Sequence, residues 1–299
     1  MIPQKESLMR MFKSILSMLA LFALAAATTK EDWKDVEAAL GRVGTKQPDG
    51  AYKVSFPRGD LSVTADGVAI KPALALGSWA AFSESGAHSM AMGDLVLLES
   101  EVNPVITELQ KGGMEATAIH NHLIGESPRV MYVHFSGHGD ATAIARTLHN
   151  ALAMTKTPMG PPAAPAAAQL DLPTSDLDRI MGHPGKANGG AYQFGIPRVE
   201  KITEHGMTIP ASMGLATAIN FQPTGNGRAA ISGDFVLVAS EVNPVIRALQ
   251  AGGIAVTALH SHMLEEQPRL FFMHFWANDD ASKLATALRS ALDRMHVKK

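Results

Sequence analysis

The chain has 299 residues, of which 46% are hydrophobic and 18% charged, a globular composition with enough length for two domains of ordinary size. Its 26 Lys and Arg against 28 Asp and Glu give a net charge of -2, which provides no basic surface for nucleic acid or an anionic membrane. The chain has no cysteine, which excludes disulfides, thiolate metal ligands and cysteine nucleophiles.

The N-terminus has the pattern of an export signal. Lys5, Arg10 and Lys13 precede the apolar run ILSMLALFALAAA at 15–27, which ends in small residues. The run is shorter than the roughly 18 apolar residues of a membrane span. We therefore predict a signal peptide over 1–27 and a periplasmic or secreted protein with no stable membrane insertion after cleavage.

The rest of the chain is an internal duplication. Residues 93–152 align with residues 233–292, and half of the aligned positions are identical. Upstream, GAYKVSFPR at 50–58 matches GAYQFGIPR at 190–198. The period is about one domain, far longer than the roughly 20 to 50 residues of solenoid repeats.

The duplication sets the predicted domain boundaries. We predict one repeat domain over 28–153 and a second over 174–299, packed together as an intramolecular pseudo-dimer. The segment 154–173 is rich in Pro and Ala, a composition typical of an extended linker.

In each copy, strand patterns precede a helix. In the first copy we predict short strands at 51–56, 61–64 and 79–84, then a strand over 93–100. Asn103 followed by Pro104 is typical of a helix start, with Asn as the N-cap and Pro at the first helical position. Gly112 and Gly113 then supply a C-terminal stop.

The last elements of each copy form a hairpin and a helix. Residues 114–122 and 128–135 are predicted as its two strands, and Asp140 as the N-cap of the final helix. This order predicts an α+β fold: two tandem homologous domains, each a mostly antiparallel sheet with packed helices. A cupin-like β-barrel is the alternative, and the predicted helix within the run of strands counts against it. The spacing H-x-H-x-x-x-E resembles the first metal motif of cupins and indicates metal binding, not the cupin fold.

Three histidines and a glutamate recur around this hairpin. If 114–122 is a strand, His120 and His122 project from the same face, and His134 on the returning strand is a candidate third ligand. Glu126, at the hairpin tip, is a candidate fourth ligand or a general base for a metal-bound water. The second copy repeats the set at identical spacing, as His260, His262, Glu266 and His274.

Such a ligand set predicts one divalent metal ion per repeat, with Zn, Fe, Mn, Ni and Cu all suitable. The alternative is that the histidines are hydrogen-bonded structural residues. Asp94 and Asp234, each after a glycine, are interpreted as strand starts or turn residues. Glu101 and Glu241 are interpreted as carboxylates that favour a helix N-terminus.

Two segments of each copy carry a family resemblance. GDLVLLESEVNPV and GGMEATAIHNHLIGESPRVMYVHF in the first copy, with their counterparts in the second, resemble the bacterial LppY/LpqO family, a domain of unknown function. The resemblance covers most of the chain after the signal. It implies an exported bacterial protein and leaves the activity open.

These observations predict an exported LppY/LpqO-like protein that binds a divalent metal in each repeat. Glu126 and Glu266 would be the bases if it is a metal-dependent hydrolase or lyase. The alternatives are a non-catalytic periplasmic protein that binds metal or a small-molecule or envelope ligand, and a structural pseudo-dimer with no metal. Nucleic acid is not an expected partner.

Overall fold

The computed structural model describes residues 33–85, 88–160 and 170–298. The predicted signal peptide and the middle of the predicted linker lie outside these ranges. Within them, every helix is too short or too polar to cross a membrane.

The two copies contain the same succession of strands and helices, except that the four-residue helix Pro72–Ala75 of the first copy has no counterpart among the described residues of the second. The first comprises β1 (Thr45–Lys46), β2 (Tyr52–Pro57), β3 (Thr64–Ala65), β4 (Val68–Ala69), β5 (Gly77–Ser85), β6 (His88–Leu98), β7 (Glu115–His120) and β8 (Val130–Gly139), with α1 (Lys34–Leu40), α2 (Pro72–Ala75), α3 (Glu99–Lys111) and α4 (Ala141–Leu152). The second comprises β9 (Lys186–Asn188), β10 (Ala191–Pro197), β11 (Thr203–Glu204), β12 (Met207–Thr208), β13 (Ala216–Gly225), β14 (Arg228–Val238), β15 (Ala255–His260) and β16 (Leu270–Asp280), with α5 (Thr174–Met181), α6 (Ala239–Ala251) and α7 (Ala281–Leu292).

Each copy builds one six-stranded antiparallel sheet. The strand order is β1-β2-β5-β6-β8-β7 in the first and β15-β16-β14-β13-β10-β9 in the second. Two small ribbons, β3-β4 and β11-β12, lie outside these sheets. The predicted α+β fold in two tandem domains is therefore confirmed. The cupin-like alternative is wrong, because each sheet ends in edge strands and does not close into a barrel.

The two faces of each sheet pack against different layers. In the first copy, Leu95 and Phe135 face the helices and share a core with Val105 and Leu109 of α3. Because side chains alternate along a strand, their neighbours in sequence face the other way. Apolar residues of this opposite face form clusters with residues of the second copy, and one such cluster contains Met92 and Phe272. The two sheets thus lie face to face with the helices outside.

The central helix of each copy begins earlier than predicted. Helix α3 begins at Glu99, and Pro104 lies in its second turn, where it removes one N–H donor without ending the helix. The start is fixed by Glu101, whose Oε2 accepts a hydrogen bond from the N–H of Leu98 at 2.8 Å. The same carboxylate pairs with the fully buried guanidinium of Arg58 at 2.8 Å.

This buried pair is also present in the second copy. Arg198 contacts Glu241 at 2.6 Å, and Glu241 accepts a hydrogen bond from the N–H of Val238 at 2.9 Å. The final helices start as predicted, since Asp140 accepts a hydrogen bond from the N–H of Ala143 at 2.7 Å. The two copies therefore share their helix starts as well as their sheets.

We expect Glu101→Ala to destabilise the protein by about 3 kcal/mol, because it removes one of the two carboxylates that pair with the buried Arg58, leaving Asp60, and also removes the helix cap. Urea unfolding of the full chain measures this change. Glu108→Ala on the same helix is the control, because its pairing with Lys111 is exposed and should contribute less than about 1 kcal/mol. Equal effects of the two substitutions would contradict this account.

Candidate metal centre

Strand register places an aspartate beside a histidine in each copy. In the first, Asp94 on β6 lies directly opposite His134 on β8. On the other side of β8, His120 at the end of β7 pairs with Tyr132, so it is diagonal to His134. The rings of His120 and His134 have centroids 5.0 Å apart. The second copy has the same arrangement, with Asp234 opposite His274, and His260 paired with Phe272.

The histidines of the two copies form a single cluster between the sheets. The rings of His120 and His260 stack with centroids 3.5 Å apart. His122 lies 3.6 Å from His274, and His134 lies 3.7 Å from His262, again between centroids. The three closest pairs of histidine rings therefore each join one copy to the other. We call this set, together with the two aspartates, the histidine cluster: His120, His122, His134, His260, His262, His274, Asp94 and Asp234.

Two members of the cluster lie on loops and not on strands, contrary to prediction. Strand β7 ends at His120, so His122 does not share a strand face with it. The ring of His122 instead stacks on Tyr132 with centroids 3.3 Å apart. Its backbone carbonyl accepts a hydrogen bond from Thr257 of the other copy at 2.5 Å. His262 is held in the same way, by Phe272 and by a hydrogen bond from Thr117.

Backbone carbonyls orient four of the imidazoles. In each, Nδ1 lies at hydrogen-bonding distance from a carbonyl oxygen, so Nδ1 carries the proton of the neutral ring and Nε2 keeps its lone pair. Histidine ligands of metal ions are commonly oriented by this kind of bond. The pairs are His120 with Asn121 at 3.2 Å, His134 with Gly93 at 3.2 Å, His260 with Ser261 at 3.2 Å, and His274 with Gly233 at 2.7 Å.

Most of the inward-facing donor atoms are buried without a partner. Among the described residues, no hydrogen bond reaches Nε2 of His120, His122, His134 and His262, or Oδ1 of Asp94 and Asp234. A buried polar atom left unpaired costs about 1–3 kcal/mol. Several such atoms in one place therefore require a common partner.

The contact between His260 and His274 points to the nature of that partner. Their Nε2 atoms are 2.8 Å apart, and both rings use Nδ1 to donate to a carbonyl. Two neutral rings would then direct lone pairs at each other. A proton between the nitrogens, or a metal ion to one side that both nitrogens bind, removes this repulsion, and of the two only a metal ion also satisfies the other unpaired atoms.

Three sets of donor atoms in the cluster are compact enough for one ion. In each set the atoms lie within 4.8 Å of one another, and two of the three sets combine both copies. A further set outside the cluster, Glu200 with Glu241 and His296, has its glutamates paired with Arg198 and its histidine exposed. The three sets in the cluster are His120 with His260 and His274, His134 with His260 and His262, and Asp94 with His120 and His134.

Burial disfavours the charged forms of the groups in the metal-free cluster. It lowers the pKa of all six imidazoles, with neighbouring histidines adding to the effect for most of them, and brings the pKa of His274 to about 3. It also raises the pKa of Asp94 to about 8, with the nearby carboxylate of Asp234 contributing. Neutral imidazoles are the form that binds metal, so protons do not compete for these nitrogens at neutral pH.

The two predicted glutamates lie at the hairpin and not in any of these sets. Glu126 is buried and accepts a hydrogen bond from the N–H of Val130 at 3.4 Å. Glu266 accepts one from the N–H of Leu270 at 2.8 Å and pairs with Arg269 at 3.2 Å. These contacts fix the turn that precedes the return strand.

The carboxylates beside the histidines are Asp94 and Asp234, which the sequence had suggested were strand starts or turn residues. His122 Nε2 lies 3.6 Å from Asp94, and His262 Nε2 lies 3.1 Å from Asp234. The alternation of residues in GDLVLLES indicates this position for Asp94. The leucines at 95 and 97 belong to the helix-facing core, so Asp94 faces the opposite side of the strand.

The chain belongs to the family described as a Domain of Unknown Function (DUF1259), which matches residues 34–154 and again residues 175–294. A comparison with curated proteins gave no match.

Solved structures add two distant likenesses. EtuB from Clostridium kluyveri is 9% identical, with 84% of this chain and 89% of that chain covered, at a TM-score of 0.20. The trimeric bacterial microcompartment shell protein PduB is 12% identical, with 85% and 90% covered, also at 0.20. Scores this low carry no argument about this chain.

We expect the metal-free protein to lose stability as the pH falls from 7 to 5. Imidazoles titrate near 6.5 in the unfolded chain and lower in the folded cluster, so the unfolded state binds more protons below that pH. Each such imidazole lowers the free energy of unfolding by about 1.4 kcal/mol for each pH unit of acidification below that pH. The raised pKa values of Asp94 and Asp234 act in the opposite direction, but six imidazoles outnumber two carboxyls.

The measurement is the urea midpoint of chelator-treated protein across this pH range. His134→Gln should reduce the slope by about one proton. His138→Gln, an exposed position on the same strand, should leave the slope unchanged. A midpoint that holds constant or rises toward pH 5 would show that the cluster is not buried in neutral form.

Proposed function

We propose that this protein binds a divalent transition metal in one centre formed jointly by its two copies. The observation that carries the proposal is the group of buried, unpartnered nitrogen and oxygen atoms directed into the histidine cluster. Imidazole nitrogens with carboxylate oxygens suit Zn, Fe, Mn, Ni or Cu, and the absence of thiolates disfavours Cu(I).

The centre is shared between the copies, which differs from the one independent ion per repeat that the spacing suggested. His260 belongs to two of the three compact sets, once with His120 and once with His134 of the other copy. Stacking of His120 on His260 couples the halves further. Loss of either ring should therefore disturb ligands from both copies.

Burial favours a metal-binding role over a hydrolase or lyase. His134 and His274 are only 3% and 2% exposed. A catalytic metal needs a coordination position open to water and substrate, whereas structural or storage sites are closed by protein ligands. The enzyme alternative would also need a base at the metal, and Glu126 and Glu266 are hydrogen-bonded at the hairpin.

We further propose that the protein acts after export, in the periplasm or outside the cell. Support comes from the basic and then apolar N-terminal sequence and from the resemblance to the LppY/LpqO family. Metal ions or a small envelope ligand would then be its partners there.

The test is metal content. The full chain without its first 27 residues, purified without a polyhistidine tag, is stripped with chelator, reloaded separately with each of the five metals, and measured by elemental analysis. We expect at least one ion per chain for at least one metal. His134→Ala and His260→Ala should each lower the content by more than half, since each removes a shared ligand.

His138→Ala is the matched control, because His138 lies on the same strand as His134 but is exposed. It should retain full metal content. Circular dichroism of each variant separates loss of ligands from loss of fold. Folded protein that holds no stoichiometric metal under any of these conditions would refute the proposal and support the structural alternative.

A further inference from the structure

The two halves of the histidine cluster have different surroundings. Lys53 on β2 corresponds to Gln193 on β10 in the duplicated segment GAY[KQ]. Lys53 Nζ donates to the carbonyl of Ser212 at 3.2 Å, and Gln193 Nε2 donates to the carbonyl of Ala73 at 2.7 Å. These are equivalent bonds from one copy to the other. Of the two donor side chains, only Lys53 carries a positive charge.

The cation is held on the Asp94 side of the cluster. Lys53 Nζ lies 4.0 Å from the centroid of the Trp79 ring, within range of a cation–π interaction. Trp79 is the residue directly opposite Asp94 in the pairing of β5 with β6. In the second copy the residue opposite Asp234 is Ala218, which has no ring to hold a cation.

Lys53 is a cation at pH 7. Burial lowers its pKa to about 8, while the nearby carboxyl groups of Asp94 and Asp49 favour the ammonium form.

We infer that the centre takes two ions of unequal affinity and that Lys53 makes the Asp94 half the weaker one. The inference rests on the proposed metal binding. The pseudo-symmetry places an aspartate beside two histidines in each half: Asp94 with His120 and His134, whose donor atoms lie within 4.8 Å of one another, and Asp234 beside His260 and His274, which form a compact set with His120. Lys53 repels a dication and competes for the carboxylate that the ion needs.

The experiment is calorimetric titration of the metal-free, untagged protein with Zn²⁺ at pH 7. We expect two binding steps that differ by about tenfold or more in affinity, the size of effect that one nearby charge produces. Lys53→Gln should strengthen the weaker step by about tenfold and leave the tighter step unchanged. Glutamine is chosen because Gln193 makes the equivalent bond in the other copy.

Two further variants complete the design. Gln193→Lys should weaken the tighter step, because it places a cation on the Asp234 side. Lys71→Gln is the control for loss of a lysine: Lys71 is exposed and also donates to a carbonyl of the other copy, that of Gly190 at 3.3 Å. It should change neither step.

The outcomes separate the two proposals. Three results would overturn the role of Lys53 while metal binding stands. They are two steps of equal affinity in the native protein, one bound ion both in the native protein and in Lys53→Gln, and a difference in affinity that Lys53→Gln does not change. Absence of any bound Zn²⁺ or other reloaded metal would overturn both.

Discussion

The burial of polar donors between two apolar sheet faces is the constraint on which this structure depends. A sheet face covered by another sheet is ordinarily apolar. The clusters around Met92 and around Tyr132 are apolar in this way. Between them lie six imidazoles and two carboxyl groups, and among the described residues no hydrogen bond reaches Nε2 of four of these imidazoles or Oδ1 of either carboxyl group. Such an arrangement is stable only if the groups stay neutral or share a cation.

A glycine in each copy links the outer core to this centre. Gly93 precedes Asp94, so a side chain at position 93 would point toward the helices. A Cβ there would lie only 2.2 Å from the Trp79 carbonyl oxygen and 2.5 Å from the Phe135 ring. The close strand approach that glycine permits also positions its own carbonyl to accept from His134 Nδ1 at 3.2 Å. Packing on one face of β6 therefore sets the ring orientation on the other.

The sequence allowed prediction of the fold class and of the histidines that lie together, because periodicity and duplication are local signals. It did not predict that His122 lies on a loop or that Asp94 joins the cluster in place of Glu126. Both depend on register and on the second sheet. The stacking of His120 on His260 joins residues far apart in the chain, and spacing within one copy contains no information about how the two copies pack.

Duplication within one chain has a physical consequence for such a centre. In a dimer of identical chains, any residue beside the two-fold axis appears twice, so both halves of a shared site must have the same charge. Here the copies have separate sequences, and Lys53 with Trp79 can occupy one side while Gln193 with Ala218 occupies the other. The fused chain thus keeps the ligands of both halves matched while the electrostatics around them differ.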